Sequence, residues 1–508
     1  MRGAAKLVTA EAAVAQIPSD ATIAVGGFVG AGHPELLTAA LEQRFLQAGQ
    51  PTGLTLIYAA GQGDREQRGL NHLAHAGLLR RVIGGHWGLA PRLGQLAMEN
   101  KIEAYNLPQG VLCALFREIA ARRPGLITKI GLHTFIDPAH AGGRLNARTL
   151  EPLVERLTLD GEDWLRYRSV PIHVALLRGT RADRAGNVTL EREGTIGEVL
   201  PLAQAAKNHG GLVLVQVEEV VDVISDPKAV RLPGILVDFI VVSPRATHWQ
   251  TFGEEFNAAF IQRDAEPTLP AAIPFSARKI IARRALREIR RGDVVNLGIG
   301  LPEGVASVAS EEGRLGEFTL SVESGPIGGL PAGGLSFGCS FHPEAVIDQP
   351  AQFDFMDGGG LDITILGAAE VDREGNVDVS SIGGRFVGVG GFVNIAQSAR
   401  RLVFCCTFRA GGLEVATRAG RLEIVREGRH YKFVERVQRV CFHGPTALAQ
   451  GRPVFYVTER AVFRLAPGGL ELVELAPGVD LQKQVLDLMA FRPLIREPRT
   501  MAAELFRV

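Results

Sequence analysis

The sequence predicts an α/β protein with two related open domains, each built on a mostly parallel sheet, from three observations. The chain has 508 residues, whereas a single hydrophobic core usually stops growing near ~250–300 residues. Apolar, β-branched runs alternate with helical patterns along the whole chain. Two kinds of passage occur once in each half, which indicates that the halves are related.

The apolar runs predict strands that are buried on both faces. Continuous β-branched and aliphatic runs are typical of parallel strands that helices cover on both sides. The runs span residues 54–61, 172–177, 212–220, 239–243, 361–367 and 401–408.

The first repeated passage consists of a strand, a glycine turn, a proline and a helix. It occurs as "DATIAVGGFVGAGHPELL" (20–37) and as "GDVVNLGIGLPEGVA" (292–306). Pro34 and Pro302 fall near the first helical position, which proline favours. We therefore expect each half to begin with the same strand–turn–helix unit.

The second repeated passage spans residues 174–195 and 364–384. Each copy has an apolar strand, the pattern D-R-x-G-N-V and a second strand-like piece. Gly-Asn suits a tight turn with positive φ between two strands. The repeats predict two domains, 1–270 and 275–508.

The boundary between the domains is predicted within "RDAEPTLPAAIPFSA" (263–277), where three prolines interrupt regular structure. The N-terminal half carries additional material between its two repeated passages, at about residues 62–170. That material could shape a substrate pocket or an interface, and the pattern alone leaves both open.

Charge and cysteine usage exclude several classes of function. Basic and acidic residues number 55 each, so neither nucleic acid nor an anionic membrane is the expected main partner. The basic stretch 277–292 has apolar residues at helical spacing, which predicts an amphipathic helix. Five cysteines without a CxxC pair, no secretory signal and no apolar run of ~18 residues favour a cytoplasmic protein. The twelve histidines show no HExxH spacing, so no metal is expected.

Glu323 is the most informative single residue. It follows an apolar run and opens a glycine-rich stretch in "TLSVESGPIGGLPAGG" (319–334). Glycine makes up 60 of the 508 residues, against about 7% on average. An excess of glycine is typical of tight turns and of backbone that approaches a ligand closely. Glu323 is therefore a surface residue, a ribose-binding residue or a nucleophile.

The ribose hypothesis rests on a glycine loop that ends 19 residues earlier. Gly298, Gly300 and Gly304 follow a strand, precede a helix and nearly match a dinucleotide fingerprint. On this hypothesis the protein is an NAD(P)-dependent dehydrogenase that uses the 298–304 loop. Against it, the glycines and prolines after Glu323 indicate a crowded loop that a ribose-binding carboxylate does not need.

Taken together, the motifs resemble the family I CoA-transferases, which include succinyl-CoA:3-ketoacid, acetate and propionate CoA-transferases. "GGFVGAGHP" (26–34) resembles the N-terminal signature of that family. "VESGPIGG" resembles the segment with its catalytic glutamate, and 384–404 resembles the neighbouring glycine loop and strand. The resemblance implies α-like and β-like halves fused in one chain, closest to the single-chain acetate/propionate branch. Many members have Asn where this chain has Ser324.

The resemblance implies a ping-pong CoA transfer in which Glu323 carries a glutamyl-CoA thioester. An ionised glutamate can attack a thioester without a general base, and backbone N–H groups can stabilise the oxyanion. CoA and acyl-CoA are then substrates, with acetate, propionate or acetoacetate as acids and no tightly bound cofactor. A homo-oligomer, dimer or tetramer, is expected. The remaining alternatives are an acyl-CoA hydrolase on the same scaffold and a CoA-binding protein without catalysis.

The resemblance also suggests roles for individual residues. The predicted oxyanion donors are Gly26, Gly27, Phe28, Gly390 and Gly391, and CoA is expected to contact Gly298, Gly300, Gly304 and Gly388. Gln109, Ser324 and Gly325 are candidates for the substrate pocket. His86 and Trp87 either form its rim or belong to a packed loop.

Overall fold

The computed structural model describes residues 6–265, 270 and 272–507. Part of the predicted boundary 263–277 thus lies outside the described residues. The α-helices are α1 (Ala10–Val14), α2 (Glu35–Ala48), α3 (Pro91–Met98), α4 (Gln109–Ala120), α5 (Val199–Asn208), α6 (Ala277–Leu286), α7 (Gly304–Glu311), α8 (Gln349–Phe355), α9 (Phe392–Ser398), α10 (Gly444–Ala449) and α11 (Leu481–Gln484).

The strands comprise those of two large sheets and several short ladders. The first thirteen are β1 (Lys6–Leu7), β2 (Thr22–Val25), β3 (Leu54–Tyr58), β4 (Leu79–Gly84), β5 (Glu103–Asn106), β6 (Gly125–Thr128), β7 (Val154–Leu159), β8 (Glu162–Arg168), β9 (Val174–Arg178), β10 (Arg181–Asp183), β11 (Leu212–Val217), β12 (Glu219–Val221) and β13 (Phe239–Val242). The others are β14 (Val294–Leu297), β15 (Thr319–Leu320), β16 (Pro326–Ile327), β17 (Leu330–Pro331), β18 (Ser340–Phe341), β19 (Ala345–Val346), β20 (Ile363–Gly367), β21 (Glu370–Val371), β22 (Val377–Asp378), β23 (Ser381–Ile382), β24 (Arg385–Phe386), β25 (Leu402–Cys405), β26 (Arg409–Ala410), β27 (Glu414–Arg418), β28 (Arg421–Arg426), β29 (His430–Tyr431), β30 (Val454–Val457), β31 (Ala461–Ala466), β32 (Gly469–Leu475) and β33 (Leu494–Thr500).

The chain divides into two compact units that are not continuous in sequence. Two segments from the C-terminal half belong to unit 1, and one of them carries Glu323. The division into related halves at 1–270 and 275–508 stays a prediction. Unit 1 comprises Met1–Pro267, Val322–Asp354 and Arg385–Asn394, and unit 2 comprises Thr268–Ser321, Phe355–Gly384 and Ile395–Val508.

Unit 1 is built on an eight-stranded sheet in the order β1-β13-β11-β9-β2-β3-β4-β5. Every neighbouring pair is parallel, which confirms the predicted mostly parallel sheet. Alternate side chains point to opposite faces. Leu176 of β9 lies in the core with α1, α2 and α3, and the next residue, Leu177, lies with Leu202 of α5 beside Gly26. Helices thus cover both faces.

The additional material at 62–170 extends this sheet and adds a second one. It supplies β4, α3, β5 and α4, followed by a three-stranded antiparallel sheet in the order β6-β8-β7. The sequence pattern did not predict the antiparallel sheet. The first part of the insertion places α4, which begins at Gln109, directly after β5.

Unit 2 is built on a sheet in the order β15-β14-β20-β25-β30-β31-β32-β33. Its first five strands are parallel, and β31 pairs antiparallel with both neighbours. The order β14-β20-β25-β30 matches β2-β9-β11-β13 of unit 1, because the repeated passages supply β2 and β9 in one unit and β14 and β20 in the other. The predicted relation between the halves is therefore visible in their topology.

The D-R-x-G-N passages form the same turn in both units. Asp183 accepts bonds from the backbone and side chain of Asn187, each at 2.9 Å. Asp372 accepts the matching bonds from Asn376 at 3.0 and 3.1 Å. The intervening Gly186 has φ +88°, a conformation that favours glycine. The predicted positive-φ turn is confirmed.

No helix in the described part of the chain combines the length and the apolar character that crossing a bilayer requires.

Candidate active site

Glu323 lies at the centre of a tight turn in unit 1. The backbone N–H of Gly325 donates to the carbonyl of Val322 at 3.1 Å, which places Glu323 and Ser324 at the two middle positions. The N–H of Val322 donates to Pro326 at 3.0 Å and closes the loop from the other side. Glu323 is partly exposed, so the turn holds its backbone at a fixed point and leaves the residue in partial contact with solvent.

The backbone conformation at position 325 requires glycine. Its φ is +128°, and a Cβ there would lie 2.1 Å from the carbonyl oxygen of Ile347. The N–H of Ile347 donates to the carbonyl of Gly325 at 3.1 Å. Only glycine allows two backbone segments to approach this closely, and the approach positions the Glu323 turn.

Ser324 anchors the same turn through its side chain. Its side chain is buried, and its hydroxyl donates to the carbonyl of Gly338 at 2.5 Å. The structure therefore gives Ser324 and Gly325 positions that hold Glu323 in place. Contact of either residue with substrate stays a prediction.

The Gly26–Gly27–Phe28 turn lies next to Glu323. Phe28 belongs to the same buried cluster as Val322 and Phe337, and the ring centroids of Phe28 and Phe337 are 5.6 Å apart. A Cβ at Gly338 would lie 2.4 Å from the Phe28 ring. The aromatic side chain therefore packs against the backbone that anchors Ser324, and the two predicted motifs come together.

Val29 holds a strained conformation directly after this turn. Its φ is +55°, which β-branched residues rarely adopt. Its N–H donates to Gly61 at 2.8 Å, and its carbonyl accepts from Gly63 at 3.0 Å. Such strain persists only where the surroundings enforce it, and it is concentrated at functional sites.

The 388–391 glycine loop also belongs to unit 1. The N–H of Gly390 donates to Gly85 at 2.8 Å, and the carbonyl of Gly390 accepts from Gln109 at 2.9 Å. The side chain of Asn106 accepts from Val389 at 3.1 Å and donates to Gly85 at 2.6 Å. The loop is thus fixed to the end of β4 and to the start of α4.

Hydrogen bonding narrows the set of predicted oxyanion donors. The N–H groups of Gly26, Phe28 and Gly390 already donate to the carbonyls of Leu176, Ala31 and Gly85. Their role as oxyanion donors stays a prediction, and these bonds argue against it because a bonded N–H is not available to a ligand. The N–H of Gly27 is directed at the side-chain carboxyl of Glu198, and the N–H of Gly391 forms no bond to a backbone carbonyl within the described residues.

Gln109 is the first residue of α4 and is almost completely buried. Its side-chain oxygen lies 3.6 Å from the position that a Cβ would take on Gly390. Trp87 is fully buried between Tyr58 and Phe386, as the packed-loop alternative predicts. His86 packs against Gly61.

The structure does not place the other glycine loop in the same compact unit. Gly298, Gly300 and Gly304 belong to unit 2, between β14 and α7. The N–H of Gly298 extends the ladder to Ile365 at 2.9 Å. Gly300 has φ +88° and open space at its Cβ position. The loop lies at the carboxyl end of parallel strands, where such sheets bind ligands, and its contact with CoA stays a prediction.

Sequence reasoning missed a buried carboxyl group behind the Gly27 turn. Glu198 precedes α5 and is 1% exposed. Burial raises its pKa to about 7, against the lowering effects of Cys113 and of the Gly27 N–H. The thiol of Cys113 donates to its carboxyl at 3.6 Å. A glutamate at a helix start is usually solvated, so the sequence offered no signal.

A second missed group supports the Gly27 turn from the other side. The buried Gln62 donates to the carbonyl of Val25 at 3.0 Å, and its oxygen is 2.7 Å from Nδ1 of His33. Burial lowers the pKa of His33 to about 4, so the imidazole is neutral near pH 7. A neutral His can donate to Gln62 and hold the turn rigidly.

Comparisons with known proteins extend over nearly the whole chain. The family model described as Coenzyme A transferase matches residues 7–243. Caffeate CoA-transferase of Acetobacterium woodii is 44% identical over 499 residues, which is 97% of this chain and 95% of that protein. Acetate CoA-transferase YdiF of Escherichia coli (strain K12) is 43% identical over 500 residues, 97% of this chain and 94% of that protein.

A solved structure gives the same result in three dimensions. Acyl-CoA transferase YdiF from E. coli O157:H7, crystallised as a thioester complex with CoA, superposes with a TM-score of 0.94 at 42% identity, covering 99% of this chain and 96% of that chain. These relatives favour the predicted transferase over a dehydrogenase. The chain therefore belongs to the coenzyme A transferase family.

Proposed function

We propose that this CoA-transferase moves CoA between a short-chain acyl-CoA and a carboxylic acid through a thioester on Glu323. The position of Glu323 carries the proposal. Glu323 is a partly exposed residue at the centre of a turn, which is fixed by the backbone of Gly325 and by the side chain of Ser324. The crystallisation of YdiF as a thioester complex with CoA is a second support.

The reaction begins when a carboxylate oxygen of Glu323 attacks the carbonyl carbon of the acyl-CoA. The C–S bond breaks, and CoA leaves as a thiolate from a mixed anhydride. The thiolate then attacks the Glu323 carbonyl, the anhydride C–O bond breaks, and the first acid leaves as its carboxylate. A second carboxylate reverses these steps. No proton is gained or lost overall, so the mechanism needs no general base.

The surroundings of Glu323 suit the intermediates of this reaction. Phe28, Val322 and Phe337 form an apolar cluster beside the turn, which limits access of water to a hydrolysable anhydride. Of the predicted oxyanion donors, we retain Gly391, because the N–H of Gly27 is directed at the carboxyl of Glu198. Each well-aimed backbone donor contributes roughly 3–4 kcal/mol to stabilising a tetrahedral oxyanion. The acids we propose are of the acetate, propionate and acetoacetate type.

Initial rates with acetyl-CoA and propionate varied as a matrix test the proposal. A ping-pong enzyme gives parallel double-reciprocal lines, and Glu323→Gln is expected to remove transfer. Glu344→Gln is the matched control, because Glu344 is an exposed carboxylate in the same segment. Intersecting lines, or full transfer by Glu323→Gln, would contradict the proposal. CoA release that acids do not accelerate would instead identify an acyl-CoA hydrolase.

A further inference from the structure

Three buried polar side chains near the Gly27 turn each have at least one polar atom without a hydrogen-bond partner among the described residues. Gln349 is 0% exposed, and neither its Oε1 nor its Nε2 forms a hydrogen bond within the described part of the chain. The same holds there for Oε2 of Glu198 and for Nε2 of Gln109. Leaving a buried polar group unpaired costs about 1–3 kcal/mol, so these atoms require a partner that the described residues do not supply.

The three side chains come from helix starts that meet at one place. The carboxyl of Glu198 contacts Cys113, which lies one turn after Gln109 on α4. The N–H of Gln349 donates to Gly197 at 3.2 Å, directly before Glu198. One turn later on α8, the Phe353 ring lies 2.4 Å from the position of a Cβ on Gly110. The starts of α4, α5 and α8 therefore surround a common volume.

That volume has room for a ligand group. Gly197 is buried, yet no atom of the described residues lies within 4 Å of its Cβ position. Protein interiors are normally close-packed, so open space beside unpaired polar groups indicates a site for a small polar group.

The volume adjoins the proposed reaction centre. The Gly27 N–H is directed at the carboxyl of Glu198, and Phe28 packs against the Glu323 turn. From the other side, Ile347 donates to Gly325 in that turn, and Gln349 follows two residues later. A substituent on an acyl group bound at Glu323 could extend into this volume.

The unpaired atoms define the chemistry of that substituent. The two amide Nε2 atoms donate, Oε1 of Gln349 accepts, and the Glu198 carboxyl does either according to its protonation. A hydroxyl group both donates and accepts, whereas a ketone only accepts and an alkyl chain does neither. A second carboxylate would be repelled by Asp348, whose negative charge acts on Glu198.

We propose that Gln109, Glu198 and Gln349 bind a hydroxyl group on the acyl chain, so that hydroxy acids are the preferred short-chain substrates. The inference rests on the proposed function, because it assumes that the acyl group is carried at Glu323. A site built around hydrogen bonds rejects analogues that lack the bonding group, since its own polar groups then stay unpaired.

The test measures kcat/KM for CoA transfer from acetyl-CoA to butyrate, 3-oxobutyrate, succinate and the enantiomers of 2- and 3-hydroxybutyrate. For at least one hydroxybutyrate, kcat/KM is expected to exceed the value for butyrate by roughly 30-fold or more. Gln349→Met is expected to reduce that ratio below about 3, because it lowers kcat/KM for the hydroxy acid and not for butyrate. Gln95→Met, the same change at an exposed helical position, is expected to leave the ratio unchanged.

Equal rates for butyrate and every hydroxybutyrate would overturn the inference and indicate that water alone satisfies the three side chains. A preference for succinate or 3-oxobutyrate would overturn it as well. Should Gln349→Met fail to fold, the preference of the wild type decides alone. Formation of a CoA adduct on Glu323 from acetyl-CoA does not require a hydroxyl group. If the adduct forms but hydroxy acids are not preferred, only this inference is refuted. If no adduct forms, the proposed function is refuted.

Discussion

Replacement of Gly325 by alanine tests how tightly the Glu323 turn is built. The new Cβ would lie 2.1 Å from the carbonyl oxygen of Ile347, so the two segments must separate by about 1 Å to reach ordinary contact. The φ of +128° adds strain of about 1–3 kcal/mol for a residue other than glycine. The bond from Ile347 to Gly325, worth about 1 kcal/mol, weakens too.

Together these effects destabilise the turn by about 2–4 kcal/mol. A displacement of about 1 Å at a reacting group typically lowers the rate by about 100-fold. We therefore expect Gly325→Ala to lower kcat/KM for CoA transfer about 100-fold, a value measured by steady-state assay with acetyl-CoA and propionate, with thermal unfolding measured in parallel.

Gly333→Ala is the matched control for this variant. Gly333 lies in the same segment, has φ −103° and has no atom within 4 Å of its Cβ position among the described residues. Its replacement is expected to change stability by less than about 0.5 kcal/mol and to leave the rate unchanged. Wild-type activity and stability in Gly325→Ala would refute the reasoning about the turn.

Three further variants test other parts of the site. Ser324→Ala removes the bond to Gly338 and should lower the unfolding free energy by about 1–3 kcal/mol in urea titrations; an unchanged midpoint would contradict this. Asn106→Ala removes the bonds to Val389 and Gly85, so the 388–391 loop should become sensitive to limited proteolysis. A loop that stays resistant would contradict the role of Asn106 in holding it. Burial raises the pKa of Glu198 from 4.5 to about 7. The contribution of the protonated group to the free energy of unfolding is therefore fully present below pH 4.5 and is lost as the pH rises through 7. From pH 5 to 8 the wild type should therefore lose up to about 3 kcal/mol relative to Glu198→Gln, measured by urea unfolding; parallel pH profiles would refute the buried acid.

Much of the fold could be predicted because the signals are local. The apolar runs at 54–61 and 361–367 contain enough β-branched residues to define buried strands, and β3 and β20 lie within them. The D-R-x-G-N turns depend on an aspartate, a glycine and an asparagine within five residues. The glycine loops could be found for the same reason, since a positive φ requires glycine locally.

The remaining features depend on contacts between distant parts of the chain. The sequence near residue 323 does not indicate that the segment 322–354 belongs to unit 1. The contacts that hold this segment come from Phe28 and Gly197, which are distant in sequence. Glu198 and Gln349 are polar residues at helix starts, where exposure is the usual outcome. Only tertiary packing buries them. Likewise, a sequence pattern does not show that the N–H groups of Gly26, Phe28 and Gly390 are already bonded to other parts of the chain.

The most direct test of the central claim is intact-protein mass spectrometry after brief incubation with acetyl-CoA. The wild type and Glu344→Gln are expected to gain a CoA-sized adduct that propionate discharges, and Glu323→Gln is expected to gain none. An adduct that persists in Glu323→Gln, or no adduct on the wild type with acetyl-, propionyl- or butyryl-CoA, would contradict the assignment of Glu323 as the carrier of CoA.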